Sequence, residues 1–285
     1  PYATDTLKNG IITEREAHHI RQNYGAKLSM IDHWLGKVLD ALDNGGFWDD
    51  TLVILCTDHG HYLGEKDIFG KPRVMQYEPI GHTPLLIYHP DAAPKVISTL
   101  STNVDLHATL TDLFDLRVDH ITHGRSLLPD ILGLKAPERE WAVGGIFGNW
   151  VQIQDGRYKY ARGPTNDNAP LSMWSNRWST MPVPYYPGLR LPNPDERAYI
   201  DFMPGSSIPV LRQPFEPGDM LPFWSMDASL NDHYLFDLQE DPHEEHNLIG
   251  SKLEQRMIAL LEDALRDLDA PVEQAKRLGL PSASL

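Results

Sequence analysis

Between Thr13 and Gly46 apolar residues recur at Ile20, Tyr24, Leu28, Ile31, Leu35, Val38 and Leu42. Steps of three and four residues trace one face of a helix. Thr13 and Glu16 supply a T-x-x-E capping box ahead of it, and Asn44-Gly45-Gly46 supplies a stop. The pattern then changes. Thr51–Thr57 is an almost unbroken apolar run, and such a run predicts a strand buried on both faces of a parallel sheet. Leu85–Tyr88, introduced by Pro84, predicts another. Asp105 is expected to cap a helix that carries Leu106, Leu110, Leu113 and Phe114. Helix, buried strand, loop, strand and helix in that order form the rhythm of an α/β domain, assigned to residues 1–140.

From about residue 141 to 285 the elements shorten. Trp141–Phe147, Trp150–Gln154 and Arg157–Ala161 read as strands, and Asp155-Gly156 between the last two predicts an antiparallel hairpin. His233–Asp237 reads as a further strand. Ser251 and Glu254 are expected to cap a final helix with Met257, Leu260, Leu261, Ala264, Leu265 and Leu268 on one side. The stretch from Pro164 to Pro222 holds 12 of the 23 prolines together with Trp174, Trp178, Tyr185 and Tyr186. That aromatic content predicts an ordered surface excursion, an insertion at about 164–230, and not a disordered linker.

Composition narrows the classes. Of 285 residues, 41% are hydrophobic and 23% charged, as in ordinary globular chains. Lys plus Arg is 25 against 40 for Asp plus Glu, a net charge of −15. That balance argues against nucleic-acid binding and against a polybasic membrane anchor. The longest apolar runs are far shorter than the ~20 residues that span a bilayer. A single cysteine, Cys56, excludes an internal disulfide and a multi-cysteine zinc site. Inside an apolar run, it is expected to be an inert core residue. The chain begins at Pro1 without a signal-like segment, so it is expected to be cut from, or to be part of, a longer product, and its compartment stays open.

The chemistry concentrates at Asp58-His59-Gly60, just past the first predicted strand. Ligands of open α/β sheets bind beyond the carboxyl ends of strands, and a carboxylate beside a neutral imidazole suits a divalent cation. Lys71 follows Gly70, and His82 precedes the second strand. Near a cation these two side chains could bind an oxyanion and protonate a leaving group.

Several phrases, in order, resemble the C-terminal part of a sulfatase of the alkaline-phosphatase-like superfamily. Ile31-Asp32-His33-Trp34-Leu35-Gly36-Lys37-Val38-Leu39-Asp40-Ala41-Leu42 is similar to that family's D-x-x-[IVL]-G-x-[IVL]-L-x-x-L. Asp50–Ile54, Thr57-Asp58-His59-Gly60, Gly64-Glu65, Gly70-Lys71 and Thr83–Ile87 follow. Val104-Asp105-Leu106 with Thr109-Leu110 resembles D-x-x-P-T-L, with Ala108 in place of proline, and Gly124-Arg125-Ser126-Leu127 is another family phrase. Tyr234–Leu238 with Asp241-Pro242 and Glu245-His246-Asn247-Leu248 resembles L-Y-D-L-x-x-D-P-x-E-x-x-N-L.

The resemblance implies an alkaline-phosphatase-like α/β/α domain, of which this chain holds the C-terminal part, and a smaller C-terminal α+β subdomain with an antiparallel sheet and terminal helix. It implies one divalent cation, Ca2+ before Mg2+ or Mn2+, with Asp58 and His59 as ligands. It assigns Lys71 to the sulfate and bridging oxygen and His82 to the substrate and leaving group. The implied nucleophile is formylglycine, made in a C/S-x-P/A-x-R segment, which this sequence lacks. The chain is therefore expected to be inactive alone and to need the N-terminal half of the same enzyme, or an equivalent chain, as a partner against an exposed sheet edge; a homo-oligomer is compatible with this. The expected substrate is a small sulfate ester. Two alternatives remain: a phosphonate monoester or phosphodiester hydrolase of the same superfamily, and a non-catalytic module that keeps the fold.

Overall fold

A computed structural model describes residues 4–72, 74–135, 138–175, 197–203, 206–219, 221 and 232–281. Two compact units divide the chain, one of residues 1–97 with 128–136 and one of 98–127 with 137–285.

In the first unit, helix α1 (Glu14–Gly45) starts where local chemistry puts it. The Thr13 hydroxyl accepts from the Glu16 N–H at 3.3 Å, and the Glu16 carboxylate accepts from the Thr13 N–H at 2.7 Å. Gly46 closes the helix at φ 62°, a left-handed turn that glycine takes without a Cβ penalty. The apolar stripe is not core here. Ala17 is the buried residue of α1, while Leu28, Ile31 and Val38 are more than half exposed. Periodicity marks the face that can be covered; the cover itself must come from elsewhere.

The first predicted strand is β1 (Val53–Cys56), and it corrects the sequence reading. It pairs antiparallel with β4 (Leu85–Tyr88), Cys56 opposite Leu85, and the pair forms a two-stranded ladder. Leu55, Leu86 and Tyr88 are exposed, and so is Cys56, which is therefore not a core residue. An apolar run encodes strand propensity; it does not encode pairing sense or which layers cover the faces. Cys56→Ser should accordingly change the unfolding free energy of this chain, measured by urea titration, by no more than ~0.5 kcal/mol, as for other surface changes. A loss several times larger would put the thiol back in a core.

Between these strands lie β2 (Tyr62–Leu63) and β3 (Phe69–Gly70), a small antiparallel ribbon, with a 3-10 turn at Glu65–Asp67 and the short helix α2 (Glu78–Gly81). Tyr62, Ile68 and Ile80 pack together, and Ile12, Ala17 and Phe69 pack the ribbon to the start of α1. The Asp67 carboxylate accepts from the Leu7 N–H at 2.8 Å, the Lys8 N–H at 3.0 Å and the Thr6 hydroxyl at 3.0 Å. Those bonds, the Lys8 and Leu7 amides first, hold its carboxyl below the usual value. The short helix α4 (Leu128–Leu132) also belongs to this unit.

In the second unit, Asn103 and not Asp105 occupies the N-cap position of helix α3 (Val104–Leu113), without a side-chain capping bond. Asp105 lies wholly buried in the first turn instead. Its carboxylate accepts from the Thr102 N–H at 2.7 Å, the Arg125 N–H at 2.8 Å and the Arg139 guanidinium at 2.6 Å. The Thr109 hydroxyl accepts from the Leu127 N–H at 2.9 Å. A Cβ on Gly124 would stand 2.4 Å from the Val104 carbonyl oxygen, so only glycine admits this approach. The phrases around Asp105 and Gly124 are thus two sides of one buried joint.

A four-stranded antiparallel sheet holds β5 (Ala142–Gly145), β6 (Val151–Gln154), β7 (Tyr158–Arg162) and β11 (Tyr234–Asp237) in the order β11-β7-β6-β5. The Asp155-Gly156 hairpin forms as expected: Asp155 accepts from the Tyr158 N–H at 2.7 Å and the Arg157 N–H at 3.0 Å. Val151, Ile153, Tyr160 and Leu235 pack on Met257, Leu261 and Ala264 of α5 (Lys252–Asp267). Ser251 occupies the N-cap of α5 but makes no capping bond; Glu254 reaches back to the Gly250 N–H at 2.8 Å. Asn247 accepts from the Leu235 N–H at 2.9 Å and donates to the His233 carbonyl at 3.0 Å. The acid that this segment buries is Glu244, not Glu245, and it pairs with Lys159 at 2.6 Å.

The Pro-rich stretch contributes a second antiparallel sheet, β8 (Leu171–Ser175), β9 (Tyr199–Phe202) and β10 (Pro209–Phe215), in the order β8-β10-β9. Arg212 of β10 bonds Asp201 at 3.0 Å and, at 2.6 Å, Glu273 of the last helix, α6 (Val272–Arg277). Trp178, Tyr185 and Tyr186 lie outside the described residues.

Candidate functional site

Three of the four predicted site residues meet where β1 ends. The loop 57–60 leaves the strand, and the β2–β3 ribbon folds back on it. Tyr62 pairs with Gly70, which returns Lys71, the next residue, toward the loop that precedes the ribbon and carries His59. The Lys71 ammonium lies 2.7 Å from His59 Nε2, and Asp58 Oδ2 lies 3.3 Å from the same nitrogen. The spacing of 12 residues between His59 and Lys71 carries no signal of this contact; only the ribbon register makes it.

The loop orients its own side chains. Asp58 Oδ1 accepts from the His59 N–H at 2.9 Å, and the Thr57 hydroxyl lies 3.4 Å from the same oxygen. Burial acts to raise the Asp58 carboxyl. The His59 amide, the His59 ring and the Thr57 hydroxyl outweigh it and hold the group below the usual carboxylate range, so it is ionised at neutral pH. The Asp58 side chain is 81% exposed and that of His59 33%. His61, stacked on Tyr24 with ring centroids 5.5 Å apart, is pushed down chiefly by burial.

His82 is placed differently. It ends α2 with its side chain 81% exposed, and its Nδ1 lies 3.1 Å from Glu78 Oε2. Sequence reasoning passed over Glu78, although its place four residues before His82 on a helix is a pairing signal. It also passed over Gly60 as a contact residue.

The donor chemistry at Asp58 and His59 fits a hard or borderline divalent cation: an ionised carboxylate oxygen and an imidazole nitrogen, 3.3 Å apart. Two ligands each about 2.3–2.6 Å from one ion and at a right angle stand about that far apart. Among the described residues no group of three or more His, Cys, Asp or Glu forms a complete cation site. Among them, too, no helix is long and apolar enough to cross a membrane.

Comparison with known proteins points one way. Residues 2–116 match the sulfatase family. Choline-sulfatase of Rhizobium meliloti (strain 1021) is 32% identical over 159 residues, which cover 54% of this chain and 31% of that protein. The multifunctional alkaline phosphatase superfamily protein PehA of Trinickia caryophylli is 32% identical over 127 residues, 41% of this chain and 23% of the other. The phosphonate monoester hydrolase of Agrobacterium radiobacter shares the fold, with a TM-score of 0.59 at 20% identity, over 90% of this chain and 43% of that one. The chain thus spans less than half the length of these relatives. Residues 2–116 thus match the sulfatase family, and the chain is similar to a C-terminal portion of the sulfatases of the alkaline-phosphatase-like superfamily.

Proposed function

We propose that this chain forms part of a sulfuric ester hydrolase that works with one bound divalent cation, calcium before magnesium or manganese. One observation carries the reading: Asp58 Oδ2 and Lys71 Nζ both crowd His59 Nε2, at 3.3 Å and 2.7 Å, inside the family-matched segment. When bound, the cation supplies positive charge that offsets the sulfuryl oxygens. Asp58 and His59 would hold it, and further oxygen ligands would come from other segments of the full-length protein, since calcium takes 6–8 ligands. Lys71 would pass its hydrogen bond from His59 to a sulfate oxygen and stabilise charge on the bridging oxygen. His82, paired to Glu78, would protonate the leaving alkoxide. The nucleophile is assigned to formylglycine in another part of the full-length protein, because no C/S-x-P/A-x-R segment occurs in this sequence. This chain alone is accordingly proposed to be inactive, with the N-terminal half of the enzyme as its partner.

A phosphonate monoester or phosphodiester hydrolase is the second reading. The fold it shares with the Agrobacterium radiobacter enzyme favours it, as does the superfamily relationship to PehA. Turnover by the full-length protein separates the two. An aryl sulfate should give the higher kcat/KM; a higher value for an aryl phosphonate monoester would select the second reading. Asp58→Ala should weaken cation binding, because the site loses a charged ligand and the cation is under-compensated. Mass spectrometry of the purified protein measures this, and full retention of metal with full activity would remove Asp58 from the site.

A further inference from the structure

The geometry points to Gly60, clamped against the Pro79–Ile80 backbone, as a positioning residue that locks His59 in the Nδ1–H tautomer and presents the Nε2 lone pair to a cation. This rests on the proposed cation site and adds to it the device that aims one ligand.

Two contacts assign the tautomer independently. His59 Nδ1 lies 2.8 Å from the Gly60 carbonyl oxygen. A carbonyl only accepts, so Nδ1 carries the hydrogen. The Lys71 ammonium lies 2.7 Å from His59 Nε2. An ammonium has only donors, so Nε2 carries the lone pair. Each contact alone leads to the same ring state. In that state Nε2 and the ionised Asp58 oxygen, 3.3 Å away, are both acceptors, and such a pair is satisfied by positive charge. A hydrogen bond at the distal ring nitrogen is the usual way in which a protein sets the tautomer and direction of a metal-ligating histidine.

The Gly60 carbonyl can serve this purpose only if the residue is fixed. Its N–H donates to the Ile80 carbonyl at 3.0 Å. A Cβ built on Gly60 would stand 1.8 Å from the Pro79 carbonyl oxygen and 2.9 Å from its carbon. No side chain fits there, and the neighbour is backbone, which cannot swing aside. The turn after β1 is thereby pressed onto α2, and the carbonyl of residue 60 is left facing the ring of residue 59.

The test uses full-length protein labelled with 15N-histidine and freed of cation, with His59 assigned by comparison with His59→Gln. The His59 ring should show a protonated Nδ1 and an unprotonated Nε2. Gly60→Ala should weaken calcium binding, measured calorimetrically, by about 10- to 100-fold, as for other groups that orient a ligating histidine, and should mix the tautomers once Lys71→Ala also removes the lysine contact. Pro79→Ala, which keeps the backbone carbonyl, should change neither. A wild-type His59 protonated at Nε2 overturns the proposal, and that reading needs no folded variant. A folded Gly60→Ala protein with unchanged affinity also overturns it. Full calcium binding by Asp58→Ala and His59→Gln would instead overturn the cation site itself.

Discussion

Lys71→Ala should lower kcat of the full-length enzyme on a sulfate ester by about 10²–10³-fold, the ~2.7–4 kcal/mol that one preorganised donor to a developing oxyanion supplies. Lys71 is exposed, at the end of a two-strand ribbon whose pairing depends on Tyr62 and Gly70 and not on the lysine side chain. The melting temperature should therefore stay close to that of the unaltered protein. Lys71→Arg should not restore the rate fully, because a planar guanidinium replaces a compact ammonium. Steady-state kinetics at saturating substrate, beside a thermal melt, read both quantities. Unchanged turnover would make the 2.7 Å contact with His59 a surface pairing without a part in the chemistry.

Glu244→Ala should cost about 3–5 kcal/mol of unfolding free energy, because it strands a buried ammonium. Lys159 and Glu244 are 5% and 2% exposed and lie 2.6 Å apart. Glu244 also holds φ 55°, a conformation that a non-glycine residue keeps when its surroundings impose it. Replacing both partners together, Lys159→Met with Glu244→Leu, should recover most of the loss, since no lone charge is left behind. Urea unfolding of the single and double variants measures the difference. A single variant within 1 kcal/mol of the parent would mean that water reaches the ammonium.

What could be read in the sequence was local or phrased. The capping box of α1 and the Asp155-Gly156 hairpin rest on residues three apart or less, and both formed. Asp58 and His59 stood out because their chemistry is adjacent in the chain. The pairing sense of Val53–Cys56 could not be read, because an apolar run is equally good on either side of a partner strand. The meeting of Lys71 with His59 depends on a ribbon of two residues per strand, too short to leave a periodic trace. Asp105 reads from the sequence as a helix cap and Glu244 carries no signal of its own, since carboxylates are rarely buried. Their burial follows from partners distant in sequence, Arg139 and Lys159. The phrases around Asp105 and Gly124 held part of this information without explaining it: they prove to be the two halves of one buried hydrogen-bonded joint.

The grip of Asp67 on Thr6, Leu7 and Lys8 ties the lysine-bearing ribbon to a strip of chain some sixty residues away. Thr6 N–H also donates to the Asp67 carbonyl at 3.2 Å, and the 3-10 turn keeps Lys66 and Asp67 at positive φ. Such a turn relaxes once its clamp is released. Amide protons at Gly64, Ile68 and Leu7 should therefore exchange with solvent water at one shared rate, as a single opening unit. Proteolytic trimming ahead of Asn9 should speed exchange at Gly64 and Ile68 while leaving the hairpin at Asp155 unaffected.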